Sequence, residues 1–244
     1  MSLLNNSLSS GKPLLCYVTD RRSLPGVAPE AWFSALIQKI EQVASAGVDW
    51  VQIREKDLSA RELAALTRQV LRSTAASSKR RGVRILVNDR LDVALAEHAG
   101  GVHLGEKSLP VQEAKRLVQS SSLQGSASGD FLFGVSCHSL QAAQVAESSG
   151  ANYIFFGPVF ATPSKAAFGA PQGLDRLAAV CRAVAIPVIA IGGITLENAA
   201  SCIHAGAAGL AAIRLFQDGV DPSGAIQRLR QLVSYHRRRL PAGR

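Results

Sequence analysis

The stretch VIAIGGITLENAASCIHAGAAGLAAIRLF, residues 188–216, decides the fold. A short apolar run, VIAIGG (188–193), passes through paired glycines into a segment with apolar residues at three- and four-residue steps. A second apolar run, GLAAIRLF (209–216), follows. Runs this short and this evenly apolar predict strands covered on both faces, as in a parallel sheet. The segment between them predicts an amphipathic helix, with Thr195 as its N-cap and Gly206 closing it before the next strand. Strand, helix and strand make one parallel crossover unit.

Outward from this stretch the unit recurs. LLCYVTD (14–20), WVQIRE (50–55), RILVND (84–89), GVHLG (101–105), LFGVSC (132–137) and YIFFGP (153–158) bring the apolar runs to eight. Amphipathic segments such as AWFSALIQKIEQVASAG, ARELAALTRQVLRSTAAS and VQEAKRLVQSS lie between them. Gly47 and Gly150 are placed to close helices, Ser139 to open one, and Pro110 stands where another begins. Eight alternations predict an α/β protein, a single (β/α)8 TIM barrel, and 244 residues is an ordinary length for one. An open doubly wound sheet is the alternative, but no GxGxxG fingerprint follows the first run. The barrel domain is expected over residues 13–240, behind a disordered lead-in at 1–12. The small-residue run SSSLQGSASGD (120–130) is expected to be a surface insertion.

Composition narrows the function classes. The net charge of +9 raises nucleic acid as a partner, yet the basic residues form no single stripe and only 5% of residues are aromatic. The expectation is no nucleic acid, with the excess charge free to draw anionic substrates. No run approaches the length of a membrane helix, so no membrane partner is expected. The N-terminal stretch shows no secretory pattern, and the four cysteines are widely spaced, with no zinc-type grouping. Both features fit a reducing cytoplasm. The sequence leaves a homo-oligomer open.

In such a barrel, chemistry belongs at the C-terminal ends of the strands. The second run ends Gln52-Ile53-Arg54-Glu55-Lys56, and alternation puts Gln52, Arg54 and Lys56 on one side. Donors on an inward face call for an anion, or else for internal salt bridges. The third run ends Asn88-Asp89-Arg90, where Asp89 is a candidate Mg²⁺ ligand, a helix cap or a partner of Arg90. After the fourth run, Glu106 and Ser108 are weaker metal candidates. The fifth ends Ser136-Cys137-His138, with His138 placed as an acid or base or as a structural histidine. The sixth leads to Thr162, Ser164 and Lys165, a phosphate-clamp composition. Gly193 in the paired-glycine turn, with Ile213 and Arg214 after the eighth run, completes an expected phosphate cup.

Taken together, VQIREKDL, VNDRLDVAL, GGVHLGEKSLP, FGVSCHSLQAA, ANYIFFGPVFATPSK and PVIAIGGITLENAASCIHAGAAGLAAI resemble the thiamine phosphate synthase and thiazole tautomerase family, from about residue 14 to residue 216. The resemblance implies a transferase of thiamine biosynthesis that joins hydroxymethylpyrimidine diphosphate to thiazole phosphate and releases diphosphate. It implies pyrimidine diphosphate and metal contacts at Gln52, Arg54, Lys56, Asn88 and Asp89. Thr162, Ser164 and Lys165 match a diphosphate loop, Ser136 and His138 the motif of the fifth strand, and Gly193 and Ile213 the thiazole phosphate cup. Ser136, His138 and Lys165 are the implied catalytic residues. The chain departs from the pattern at Ser108, where synthases carry a second aspartate ligand for Mg²⁺, and at Arg214, where they carry serine. Ser108 suits the alternative, a tautomerase that aromatises thiazole carboxylate phosphate with His138 as acid and base. The retained Lys56, Asp89 and Lys165 suit the synthase.

Overall fold

Alternate residues of each apolar run serve two different cores, which is why the runs lack a polar face. The computed structural model describes residues 12–77, 82–120, 131–162, 170–219 and 221–237. Its strands are β1 (Leu14–Val18), β2 (Trp50–Ile53), β3 (Arg84–Asn88), β4 (Gly101–Leu104), β5 (Leu132–Cys137), β6 (Tyr153–Phe156), β7 (Val188–Ile191) and β8 (Gly209–Ala212). Each pairs in parallel with the next, and β8 returns to β1 with Leu14 opposite Gly209, so the barrel closes. Leu14, Cys16, Val18, Trp50, Leu86, Leu132, Tyr153, Phe155, Ile189 and Ala211 fill the interior. Their neighbours in sequence, such as Leu15, Tyr17, Val51 and Ile53, pack outward into a second core shared with the helices. Burying both faces of such strands is the main stabilising term, about 1.5–3 kcal/mol for each large apolar side chain.

The helices are α1 (Trp32–Ser45), α2 (Ala60–Ser77), α3 (Leu91–Ala96), α4 (Val111–Ser120), α5 (Leu140–Ser148), α6 (Gly173–Ala183), α7 (Ala199–His204), α8 (Arg214–Gln217) and α9 (Pro222–Arg237). Gly47, Gly150 and Gly206 take φ values of 98°, 84° and 101° after their helices, as the sequence leads one to expect. Ser139 caps α5 by accepting from the Ala142 amide at 3.1 Å.

Two expectations need correction. The helix after β7 does not open at Thr195: Asn198 turns back to accept from the Thr195 amide at 2.8 Å and to donate to the Gly193 carbonyl at 2.9 Å, and it is Asn198 that stands before the first helical residue. That closed turn delays α7 to Ala199. The eighth strand also stops at Ala212, because the Phe216 and Gln217 amides fold back to the Ile213 carbonyl and start α8. Phe216 is thereby buried edge-on against Tyr17 at 5.9 Å. The expected lead-in, except residue 12, and the expected insertion, except residue 120, lie outside the described residues.

Candidate functional site

At the C-terminal end of β2, alternation divides a run of charged residues between two environments. Glu55 faces away from the barrel mouth and is buried. It accepts from the Thr19 hydroxyl at 2.6 Å, from the Arg21 amide at 3.2 Å and from the Arg21 guanidinium at 3.0 Å. Arg21 also chelates Asp57 through two bonds of 2.7 Å, and these hold the Asp57 carboxyl down to about 2. Arg54 faces the other way. Its amide donates to Thr19 Oγ1 at 2.9 Å, yet its half-buried guanidinium has no hydrogen-bond or ion-pair partner among the described residues. Lys56 is exposed just beyond it. Gln52, only 2% exposed, donates from Nε2 to Asn88 Oδ1 at 3.0 Å, which fixes both amides side by side on β2 and β3.

Across the mouth stands a residue that the sequence reading passed over. His103 on β4 is 1% exposed and touches Ser136 Oγ through Nε2 at 2.9 Å and the Tyr153 hydroxyl through Nδ1 at 3.1 Å. Burial first, and then the nearby charge of Arg54, push its pKa down to about 3, so the ring is neutral at physiological pH. The signal was available: an inward histidine amid apolar residues, one position from Leu104, must find buried partners. His138, half-buried at the end of β5, bonds through Nδ1 to the Gly157 carbonyl. A carbonyl only accepts, so Nδ1 carries the proton and Nε2 of the neutral ring is a base.

Asp89 follows β3 with φ of 66°, a left-handed conformation rare for a residue with a β-carbon, held by its amide donating to the His103 carbonyl at 2.8 Å. Its carboxylate is exposed and makes no hydrogen bond or ion pair among the described residues; its charge acts on Arg90, whose guanidinium is paired with Asp92. Ser108 is committed to its own turn, its Oγ accepting from the Gly105 amide at 2.7 Å. Glu106 is exposed. Among the described residues no three His, Cys, Asp or Glu side chains gather into a metal cluster.

The paired glycines serve packing and the mouth together. Gly192 has φ of 95°, and a Cβ there would lie 2.5 Å from Pro158 Cα; at Gly193, with φ of 67°, it would lie 2.6 Å from the Ala161 carbonyl oxygen. The loop after β6 is seated on them, with the Val159 and Phe160 amides donating to the Ile191 and Gly192 carbonyls at 2.9 and 3.0 Å. The amides of Gly193, Ile194, Ile213 and Arg214 find no acceptor among the described residues. The exposed Arg214 guanidinium stands beside them without a partner among those residues. Thr162 is half-buried at the far end of the loop; Ser164 and Lys165 lie outside the described residues. Amides and cations of this kind receive phosphate oxygens.

The class is therefore a closed parallel β/α barrel whose carboxyl-end mouth gathers cationic side chains and backbone amides. Comparison with known proteins narrows it. The family model described as thiamine monophosphate synthase matches residues 24–216, and the chain belongs to that family. It is 43% identical over 208 residues to a putative thiamine-phosphate synthase of Geobacter sulfurreducens, covering 85% of this chain and 88% of the relative. It is 37% identical over 230 residues to the thiamine-phosphate synthase of Roseiflexus castenholzii, covering 93% and 92%. Among solved structures, thiamine phosphate pyrophosphorylase from Pyrococcus furiosus superposes with a TM-score of 0.75 at 30% identity, covering 96% of this chain and 98% of that one.

Proposed function

We infer that the chain is a thiamine-phosphate synthase, a transferase that condenses hydroxymethylpyrimidine diphosphate with thiazole phosphate and releases diphosphate. The Roseiflexus relative bears that name, and neither the Geobacter relative nor the Pyrococcus pyrophosphorylase favours the tautomerase. The observation that carries the reading to this chain's own residues is the half-buried Arg54 guanidinium, which has no hydrogen-bond or ion-pair partner among the described residues and whose charge reaches His103 across the mouth. A cation in that position without a protein carboxylate is poised for an anionic ligand.

In this reading the pyrimidine carbon–oxygen bond breaks with its electron pair leaving on diphosphate, and the thiazole nitrogen captures the carbon. Arg54, Lys56, Thr162, Ser164 and Lys165 hold the departing diphosphate, where charge grows most. Gln52 and Asn88 orient the pyrimidine, and Ser136 and His138 contact the reacting region. The amides of Gly193, Ile194 and Ile213, together with Arg214, take the thiazole phosphate.

The donor set fits Mg²⁺: the exposed Asp89 carboxylate, which no hydrogen bond or ion pair among the described residues engages, would hold it together with diphosphate oxygens, as Mg²⁺ commonly binds through one or two carboxylates plus phosphate. When bound, the ion would neutralise the diphosphate. Ser108 contributes to the turn instead. Residues 13–240 form the barrel domain of a cytoplasmic enzyme in this reading; no helix of the described residues is long and apolar enough to cross a membrane.

Incubation of the purified protein with both phosphorylated substrates and Mg²⁺ tests it. Thiamine phosphate and diphosphate are expected in equal amounts, and absence of both would refute the assignment.

A further inference from the structure

We propose that Tyr153, His103 and Ser136 form a hydrogen-bond relay of fixed direction, in which Tyr153 donates to His103 Nδ1, His103 Nε2–H donates to Ser136 Oγ, and the Ser136 hydroxyl proton is left for the ligand. The relay rests on the function inferred above for its catalytic meaning, and on geometry alone for its direction. Its distances are 3.1 Å at Nδ1 and 2.9 Å at Nε2.

Direction follows from counting donors. In the neutral ring one nitrogen donates and the other accepts. Tyr153 is fully buried, its ring against Trp50 at 4.7 Å and Phe155 at 5.5 Å, and among the described residues its hydroxyl touches His103 alone. If Nδ1 carried the proton, the phenolic hydrogen would be buried without an acceptor. If Tyr153 donates to Nδ1, every buried hydrogen is used, and Nε2 must carry the ring proton. Ser136 is only half-buried, and among the described residues its side chain has no other partner. Its hydrogen therefore points to whatever fills the mouth.

Gly134 makes the arrangement possible. A Cβ on this inward position of β5 would stand 2.1 Å from Tyr153 Cζ, 2.3 Å from its hydroxyl oxygen and 2.6 Å from His103 Nδ1. The missing side chain is the space in which the first bond of the relay is made. Phe155 packs on the imidazole at 4.2 Å between centroids and keeps the ring from turning. Tyr153 and His103 act through Ser136, and are positioning residues.

Two measurements on the intact chain test the relay. Nitrogen-15 NMR of histidine-labelled protein is expected to show His103 with its proton on Nε2 and a bare Nδ1; a protonated Nδ1 would overturn the proposal. That readout needs no turnover, so it stands or falls apart from the synthase assignment. In the synthase assay, Ser136→Ala is expected to lower kcat about tenfold to a hundredfold, as loss of a hydrogen bond to a charged or charging ligand does. Tyr153→Phe is expected to lower kcat in the wild-type background and to add nothing in the Ser136→Ala background. Equal losses in both backgrounds would mark Tyr153 as merely structural and refute the relay. If Tyr153→Phe does not fold, the wild-type tautomer decides the direction by itself.

Discussion

Mild acid should weaken this fold through one buried residue. His103 has an ordinary pKa of 6.5 in the unfolded chain and about 3 in the folded one, because burial and Arg54 disfavour the imidazolium. Its folded pKa is depressed, so its contribution is whole above pH 6.5 and is lost progressively as pH falls toward 3. Between pH 7 and pH 5 the unfolded histidine gains most of a proton while the folded one gains almost none. The resulting loss is about 2 kcal/mol, from roughly 1.4 kcal/mol per unit over this interval. Asp57 does not confuse the window: its native pKa lies near 2 against an ordinary 3.8, so its share is lost only at lower pH. Urea unfolding of the wild type and of His103→Asn at pH 7, 6 and 5 checks the figure. The variant is expected to be less stable at pH 7 but to lose about 2 kcal/mol less on going to pH 5. Parallel curves for the two proteins would refute the argument.

Arg54→Gln removes the unpartnered guanidinium and should raise KM for the pyrimidine diphosphate about tenfold to a hundredfold, with the fold's thermal midpoint little changed. Steady-state kinetics and a melting curve check both halves. Gly192→Ala should destabilise the protein by about 2 kcal/mol or more, since a left-handed φ of 95° combines with a 2.5 Å approach to Pro158 Cα. Denaturant unfolding reads this. Ser108→Asp should lower the Mg²⁺ concentration needed for half-maximal activity, because one carboxylate oxygen can keep the Gly105 bond while the other turns to the ion. A magnesium titration decides it. Arg214→Ser should weaken thiazole phosphate binding more than it lowers kcat, which the two Michaelis parameters separate.

The barrel was legible because both cores demand apolar residues. Runs such as Leu14–Val18 and Tyr153–Phe156 carry no polar face to mislead the eye. Period-two alternation also divided Arg54 from Glu55 correctly, although nothing in the sequence said that Arg21 would satisfy Glu55. The end of β8 was misjudged because Ile213 and Leu215 are as apolar as a strand would need, and only the return of the Phe216 and Gln217 amides distinguishes helix there. Thr195 is a cap by type, and Asn198 three residues on does bond its amide, but the helix begins only at Ala199, with Asn198 as its cap. His103 was overlooked for a different reason. Its importance lies in partners 33 and 50 residues away, which no local pattern announces.

One buried side chain, Gln217, ties the two ends of the barrel. Its Oε1 accepts from the Tyr17 hydroxyl at 3.1 Å and the Asp20 amide at 3.0 Å, and its Nε2 donates to the Asp20 carbonyl and to Ser23 Oγ, each at 3.0 Å. These bonds join residues up to 200 positions apart and sit beside the β1–β8 pairing. During synthesis the first strand must therefore wait, with one edge bare, until the residues 200 positions further on have been made. An unpaired edge of a parallel sheet is a template for association with other chains. The growing protein is thus exposed throughout that interval, and Gln217 is the latch whose arrival ends it.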